Sequence, residues 1–369
     1  MGKRRARLIR IFGGILAGAW LLAACATPTT QQSNVDATVL AEEEARQKLM
    51  ALRYAKDVTT RANKVVRPIL LNNADLCGEK IVFDLGFTIK TLTSIHKQWR
   101  EAANELYSLD AEGRITIVSV YPGSPAEGAG VLPGDVIISM DNIEIKSGKR
   151  GLKKFNQALE KSIRKDSAAP VGLVLERAGA ERSVSISGER RCLSNVVIQQ
   201  SDSVNAYADG INIYITYGML RFVENDDELA VVLAHEIAHN VMLHIEKKKK
   251  NAVAGAFAGA LLDGLAAAYG VNTGGEFSGL GSNIAGNSYS VEFEQEADYV
   301  GQYLMARAAY DPDVAPDFWR KMGVNSSGSI SYSSSHPSTA NRFISLEAVN
   351  TEIKNKRNND QALTPEPGA

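Results

Sequence analysis

Apolar positions change their period along this chain, and the changes divide it. Between residues 40 and 66, Leu49, Leu52, Ala55, Val58, Ala62 and Val65 recur at steps of three and four, the stripe of an amphipathic helix, and Pro68 predicts its end. The apolar heptads are not sustained, so this helix is expected to pack across the body of the protein rather than to form a coiled coil. From Cys77 to Cys192 the texture turns to short β-type runs, "IVFDLGFTIKTL", "RITIVSVY", "DVIISMDNIEI", "VGLVLER" and "RSVSIS", separated by turn residues and interrupted by one helix, "GLKKFNQALEKSIR". The expected class is α+β: a helical segment over 40–76, a β-rich unit over 77–192, a further unit over 193–350, and a polar tail over 351–369.

A composition of 44% hydrophobic and 22% charged residues supports packed cores, and a formal net charge of −1 offers no basic excess for nucleic acid. The amino terminus alters that balance. Lys3, Arg4, Arg5, Arg7 and Arg10 precede an apolar run, Ile11 to Ala24, of 14 residues. A spanning helix needs about 18 to 20, so residues 1–24 read as a cleaved export signal rather than a transmembrane anchor. Leu22-Ala23-Ala24-Cys25 resembles a bacterial lipobox, which implies lipidation of Cys25 as the first mature residue. Ala26 in place of Asp then implies the outer membrane of a Gram-negative cell, on its periplasmic face. Losing the five basic residues moves the net charge from −1 to −6. Residues 25–39 form a small, polar tether. With Cys25 acylated, Cys77 and Cys192 remain: an exported compartment permits a disulfide between them, and two buried free thiols are the alternative.

Residues 120–145, "VYPGSPAEGAGVLPGDVIISMDNIEI", resemble the central stretch of a PDZ domain of the bacterial HtrA type. Upstream, "DLGF", residues 84–87, resembles the loop that in PDZ domains cradles a peptide's terminal carboxylate, which implies Leu85, Gly86 and Phe87 as peptide contacts. Successive N–H groups at a glycine turn form an anion nest, and a free strand edge accepts an added peptide strand. The insertion between Ile89 and Val120 departs from a compact PDZ domain and leaves two uses open, a peptide groove or a spacer.

The chain has five histidines, and three of them fall in "VVLAHEIAHNVMLH", residues 231–244. His235 and His239 are four apart, so a helix projects both imidazoles from one face, at a spacing that lets them share one Zn²⁺. Glu236 follows directly, placed as general base toward an attacking water, which is the mechanical content of His-Glu-x-x-His. His244 is expected to point away, as a helix-surface or core residue. A third ligand is needed. "SVEFEQEADYVG", residues 290–301, offers Glu294 and Asp298 at i and i+4 on one face of a second helix. One can ligate while the other accepts a hydrogen bond from a ligand imidazole and fixes its tautomer. Glu292 and Glu296 fall off that face and read as solvated charge.

Three separated segments, "VNAYADGINIYITYGMLRFVENDDELAVVLAHEIAHNVMLH", "SYSVEFEQEADYVG" and "HPSTANR", resemble in order and spacing the zinc metallopeptidases that include HtpX, BepA and the CAAX prenyl endopeptidases. The resemblance implies one Zn²⁺ per chain held by His235, His239 and Glu294, with Glu236 as catalytic base and Asp298 as the partner of a ligand imidazole. It also implies that 193–350 is a mainly helical unit with a small edge-strand sheet, and that substrate backbone pairs along an edge strand over 204–216, at Asn205 and Ala206. His336 and Arg342 match the family's His-Pro and downstream Arg positions. Arg342 is expected to contact substrate, and His336 either donates to the oxyanion or ligates zinc in a closed state.

Residues 247–288 open with four lysines, solvated or touching anionic lipid. A small-residue apolar stretch follows, expected to pack beside the active site, and then a glycine-rich loop able to gate the cleft. The implied protein is a lipid-anchored, exported zinc endopeptidase whose PDZ module captures unfolded or misassembled envelope proteins or their C-terminal peptides. A chaperone-like scaffold with a latched or structural zinc and a PDZ adaptor that presents clients to other proteases are the competing readings. Glu236 weighs against a purely structural site, which has no need of it.

Overall fold

The amino-terminal stripe closes into helix α1, Ala37–Asn72, which runs past Pro68 instead of stopping there. Pro68 lacks the N–H that would bond the carbonyl one turn back. The loss is offset by burial of Ile69 and Leu70, 0% and 3% exposed, and by Asn72 and Asn73 side-chain amides that donate to the Pro68 and Ile69 carbonyls at 3.0 and 2.8 Å. The computed structural model describes residues 35–165, 169–268, 291–325 and 340–367, with positions 273, 274 and 276. The export signal, Cys25, His336 and most of the glycine-rich stretch lie outside the described residues.

Strand β1 (Ile81–Asp84) leads through the "DLGF" loop to β2 (Phe87–Lys90). Helix α2 (Arg100–Tyr107), β3 (Ile115–Val120), the short α3 (Pro125–Gly128), β4 (Val136–Met140), β5 (Ile143–Glu144), α4 (Gly148–Lys165), β6 (Val171–Arg177) and β7 (Ala180–Ile186) follow. An antiparallel sheet of order β2-β3-β4-β6-β7, with β5 beside β4, leaves β2 as an edge. Alternate residues of β6 are buried, and Leu173 and Leu175 meet Ile115, Ile117, Ile137 and Phe155 of α4 in one core. The insertion after β2 folds against α1, where Ala103, Leu109 and Val118 pack with Leu52.

The chain leaves this unit through β8 (Glu189–Cys192), which pairs with β1 so that Ile81 faces Cys192. Cys77 and Cys192 form a disulfide with Cα atoms 5.6 Å apart, clipping the unit's two ends together beside α1.

Strands β9 (Asn195–Gln199), β10 (Ala206–Ala208) and β11 (Asn212–Thr216) form a sheet of order β10-β11-β9. The stretch expected as one edge strand over 204–216 is therefore a hairpin, and of its two strands β10 lies at an edge while β11 is central. Its turn is built by Asp209, whose carboxylate accepts from the Ile211 and Asn212 amides at 2.9 and 2.6 Å and from Tyr214 Oη at 3.1 Å. Asp209 and Gly210 break the alternation, as a turn requires.

Helices α5 (Tyr217–Phe222), α6 (Asp226–Val241), α7 (His244–Ala268), α8 (Val291–Arg307), α9 (Ala315–Asn325) and α10 (Ala340–Asn358) complete the fold. α6 begins on Asn225, whose side chain accepts from the Glu228 amide at 2.8 Å, and three acidic residues in its first turn meet the positive end of the helix dipole. Its residues from Leu229 to Asn240 are all buried, so α6 is the central rod of the larger core, which also takes in Val65, Val66, Ile69 and Leu70 of α1.

Two expectations fail here. Residues 351–358 are the last turns of α10, with Ile353 wholly buried, and Leu363 beyond them packs back on the core, so the polar tail is folded. The small-residue stretch does not pack closely beside the site: on α7, Val253, Phe257, Leu261 and Leu265 are 70, 68, 57 and 59% exposed. No described helix is long and apolar enough to cross a membrane.

Closing a loop of 115 residues, the disulfide removes unfolded-state entropy worth about 4 to 5 kcal/mol. Denaturant melts with and without reductant should differ by that order, and an unchanged midpoint would contradict the assignment. Burial acts to raise Asp209, but hydrogen bonds from the Asn212 side chain and the Asn212 and Ile211 amides hold it at about 2, below its ordinary 3.8. A depressed carboxylate stabilises above its unfolded value and loses that contribution as pH falls through the folded one. NMR titration of Asp209 should therefore give a midpoint near 2.

Candidate metal centre

On α6 the spacing of four brings His235 Nε2 and His239 Nε2 to 3.1 Å from each other. Glu294, in the first turn of α8, completes a triangle, with carboxylate oxygens 3.4 Å from His235 Nε2 and 3.5 Å from His239 Nε2. These residues form the one His/Cys/Asp/Glu group able to hold a metal among the described residues. A tetrahedral ion with bonds of about 2.0 to 2.1 Å separates its ligand atoms by about 3.3 to 3.4 Å, close to the spacing of the two Nε2 atoms and of each Nε2 from one of the two Glu294 oxygens. Charge agrees with geometry. Glu236, Glu294 and Asp298 are 2, 3 and 6% exposed and Arg342 is 2% exposed, so with both imidazoles neutral, as ligation requires, three buried carboxylates meet one guanidinium. The difference of two is what a divalent cation neutralises.

Each imidazole is held from behind. His235 Nδ1 lies 3.0 Å from Asp298 Oδ1, one turn along α8 from Glu294. Burial would lower His235, but the Asp298 and Glu294 carboxylates hold the metal-free imidazole up to about 9. Asp298 is fixed in turn by both forks of Arg342, one at 2.7 Å. Burial would raise Asp298, and the guanidinium and His235 keep it below the usual carboxylate range. Arg342 lies over the Trp319 ring, 3.9 Å from its centroid, and Trp319 meets His235 at 5.0 Å. Arg342 was expected among the substrate contacts. Its planar fork is instead taken up by Asp298, and the buried guanidinium supports the ligand set. Helix α8 comes this close because residue 301 is glycine: a Cβ there would stand 3.3 Å from the His235 backbone.

The expectation for His244 is also overturned. α6 ends at Val241, and Leu243 adopts φ +58°, a left-handed turn that breaks the helix. His244 opens α7 and swings back, fully buried, to place its Nδ1 2.8 Å from His239 Nδ1. Its Nε2 is 2.7 Å from Glu296, the carboxylate read as solvated charge. Phe293 stacks on the His244 ring at 4.6 Å. Helical periodicity carried through residue 244 could not register this break, because Leu243 is an ordinary helix former.

Glu236 is buried beside this cluster, and its charge acts on Arg342. The edge strand is tied to α6: Asn240 accepts from the Gly210 amide at 2.7 Å, and Lys80 donates to the Gly210 and Asn240 carbonyls at 2.9 and 3.3 Å. At the start of that strand Asn205 is exposed and Ala206 buried, and the Asn205 backbone is held by Thr216.

In the "DLGF" loop, Leu85 is buried and Gly86 has φ +91°, with Ser124 so close that no Cβ fits. Phe87 packs against the core at the edge. The Gly86 amide donates to Asp84 at 3.1 Å, and Asp84 lies 3.5 and 3.6 Å from Arg67 and Arg191. The chain's own carboxylate thus sits at the nest.

Two stretches of the chain match known family profiles. Residues 174–350 match the profile of Peptidase family M48 and residues 116–163 that of a PDZ domain. The chain is similar to mitochondrial metalloendopeptidase OMA1 of Schizosaccharomyces pombe, 30% identical over 51% of this chain and 56% of that protein. It is also similar to the beta-barrel assembly-enhancing protease of Yersinia pestis, 26% identical over 51% of this chain and 39% of the relative. The chain therefore spans about half or less of the length of these curated relatives. A solved HtrA3 PDZ domain bound to a phage-derived ligand aligns at 17% identity with a TM-score of 0.22, over 30% of this chain and 88% of that one.

Arg342→Met should lower the unfolding free energy of the metal-free protein by about 3 kcal/mol, the low end for a broken buried pair, because Asp298 loses its guanidinium and keeps only the His235 imidazole. Denaturant melts measure it, and a loss below about 1 kcal/mol would show that the pair is not buried as described.

Proposed function

We propose, for a chain that carries a Peptidase family M48 domain joined to a PDZ domain, that it is a zinc-dependent endopeptidase acting on protein substrates of the cell envelope. The observation that carries this reading is the convergence of His235, His239 and Glu294 with Glu236 buried beside them. Zinc bound there would polarise the scissile carbonyl and acidify the attacking water.

The chain's own residues do the rest. His235, His239 and Glu294 hold the ion. Glu236 takes the proton from the attacking water and delivers it to the leaving amine, so no covalent acyl-enzyme is needed. Arg342 and Asp298 hold His235 in the tautomer whose Nε2 lone pair faces the ion. Substrate backbone pairs along the outer edge of β10 beside Asn205 and Ala206, with Ala206 the nearer partner because Thr216 already holds the Asn205 N–H and C=O. His336 is placed in the same reading as oxyanion donor or zinc latch.

Residues 77–192 form the PDZ unit and 193–350 the peptidase unit, and Leu85, Gly86 and Phe87 form the start of a groove that captures client peptides at β2. Cleavage before Cys25 and its acylation attach the protein to the periplasmic face of the outer membrane. The names of the similar bacterial proteins support a role in envelope protein quality control. One observation favours a second reading, a PDZ unit serving as spacer or regulator: Asp84 occupies the Gly86 amide that a peptide carboxylate would use.

Purified protein should cleave an unfolded protein substrate, and a zinc chelator should abolish the activity. Glu236→Gln should retain one zinc per chain while turnover falls about 10²- to 10⁴-fold. Undiminished cleavage by Glu236→Gln would remove the proposed base. Zinc without cleavage in either protein would favour a scaffold.

A further inference from the structure

His239 ligates through Nε2 in the reading above, so its Nδ1 must carry the proton and donate. The atom that receives it, His244 Nδ1 at 2.8 Å, is therefore an acceptor. An imidazole that accepts at Nδ1 holds its own proton on Nε2, and His244 Nε2 is 2.7 Å from Glu296. One direction of donation thus runs from His239 through His244 to Glu296, with every partner fixed. Phe293 stacks flat on the relaying ring, with planes 12° apart, and Lys247 stands 3.5 Å from Glu296 at the outer end.

We propose that His244 and Glu296 are positioning residues of the metal centre, a two-step relay that orients His239 and raises its basicity as Asp298 does for His235. This rests on the zinc-peptidase reading. The two ligands are then supported unequally. His235 has a buried carboxylate in direct contact, whereas His239 has a neutral ring in contact and a carboxylate, about one-third exposed, at one remove. A partner behind a ligating histidine is typically worth about 10- to 100-fold in metal affinity. The relay also joins the zinc helix α6 to the first turns of α7 and α8, so that the ligand Glu294 and the relay carboxylate Glu296 come from the same turn of α8.

The test is zinc affinity of the full-length protein by chelator competition, with thermal melts of the metal-free proteins as the check on folding. His244→Phe keeps an aromatic ring against Phe293 but offers no acceptor, and should weaken zinc about 10- to 100-fold. His244→Gln can accept from His239 and donate to Glu296, and should recover most of that loss. Glu296→Gln, a change at the partly exposed end of the relay, should weaken zinc by about tenfold with an unchanged melt. Wild-type affinity in both His244→Phe and Glu296→Gln overturns the relay and leaves the peptidase reading standing. Equal losses in His244→Phe and His244→Gln, with none in Glu296→Gln, also overturn it, since ring packing would then be the whole role. A wild type that binds no zinc overturns the peptidase reading and the relay with it.

Discussion

Burying four charged side chains between α6 and α8 is the constraint on which the rest of this structure depends. Ions taken out of water cost several kcal/mol each unless they are paired and hydrogen-bonded. With both imidazoles neutral, as ligation requires, the carboxylates of Glu236, Glu294 and Asp298 face the Arg342 guanidinium, and the excess of two negative charges suits a divalent cation. Several local features follow from holding that cluster together. Gly301 lets the helices close, Trp319 covers the guanidinium, and the break at Leu243 returns His244 to the back of His239. The apolar length of α6 supplies the rigid wall against which the polar groups are fixed.

A second constraint lies at the junction of the two domains. The β1–β8 ribbon and the Cys77–Cys192 disulfide anchor the β-rich unit to α1, whose last turns belong to the larger core. Arg67 of α1 and Arg191 of β8 both face Asp84 at the "DLGF" loop, and Arg67 also pairs with Glu189. The loop proposed to receive a peptide is thus electrostatically wired to the helix that the peptidase core holds. A peptide carboxylate arriving at Gly86 would compete with Asp84 for these arginines. The ion pairs joining the two units are partly buried, so they are screened less by salt than surface pairs.

Much of this was legible in the chain, where periodicity and residue chemistry coincide. The stripe of α1, the β-type runs of the PDZ unit, the i,i+4 pair on α6 and the Glu294–Asp298 pair on α8 all follow from helix and strand geometry alone. What escaped was set by departures from regular geometry or by tertiary contact. Pro68 did not end α1 because burial of Ile69 and Leu70 outweighs one missing hydrogen bond. Asp209 and Gly210 turned one expected strand into a hairpin. Arg342 was placed at the substrate by family resemblance alone, and only tertiary contact brings its fork against Asp298. Glu296 looked solvated because its partner, His244, comes from a helix whose start no local pattern marks.

The cluster between α6 and α8 is proposed as a zinc site of two imidazoles and one carboxylate. X-ray absorption at the zinc edge tests it most directly on protein loaded with one equivalent. The account predicts nitrogen and oxygen scatterers at about 2.0 to 2.2 Å, with two of them imidazoles and no sulfur. A shell containing sulfur at about 2.3 Å, or a first shell without histidine, would contradict it.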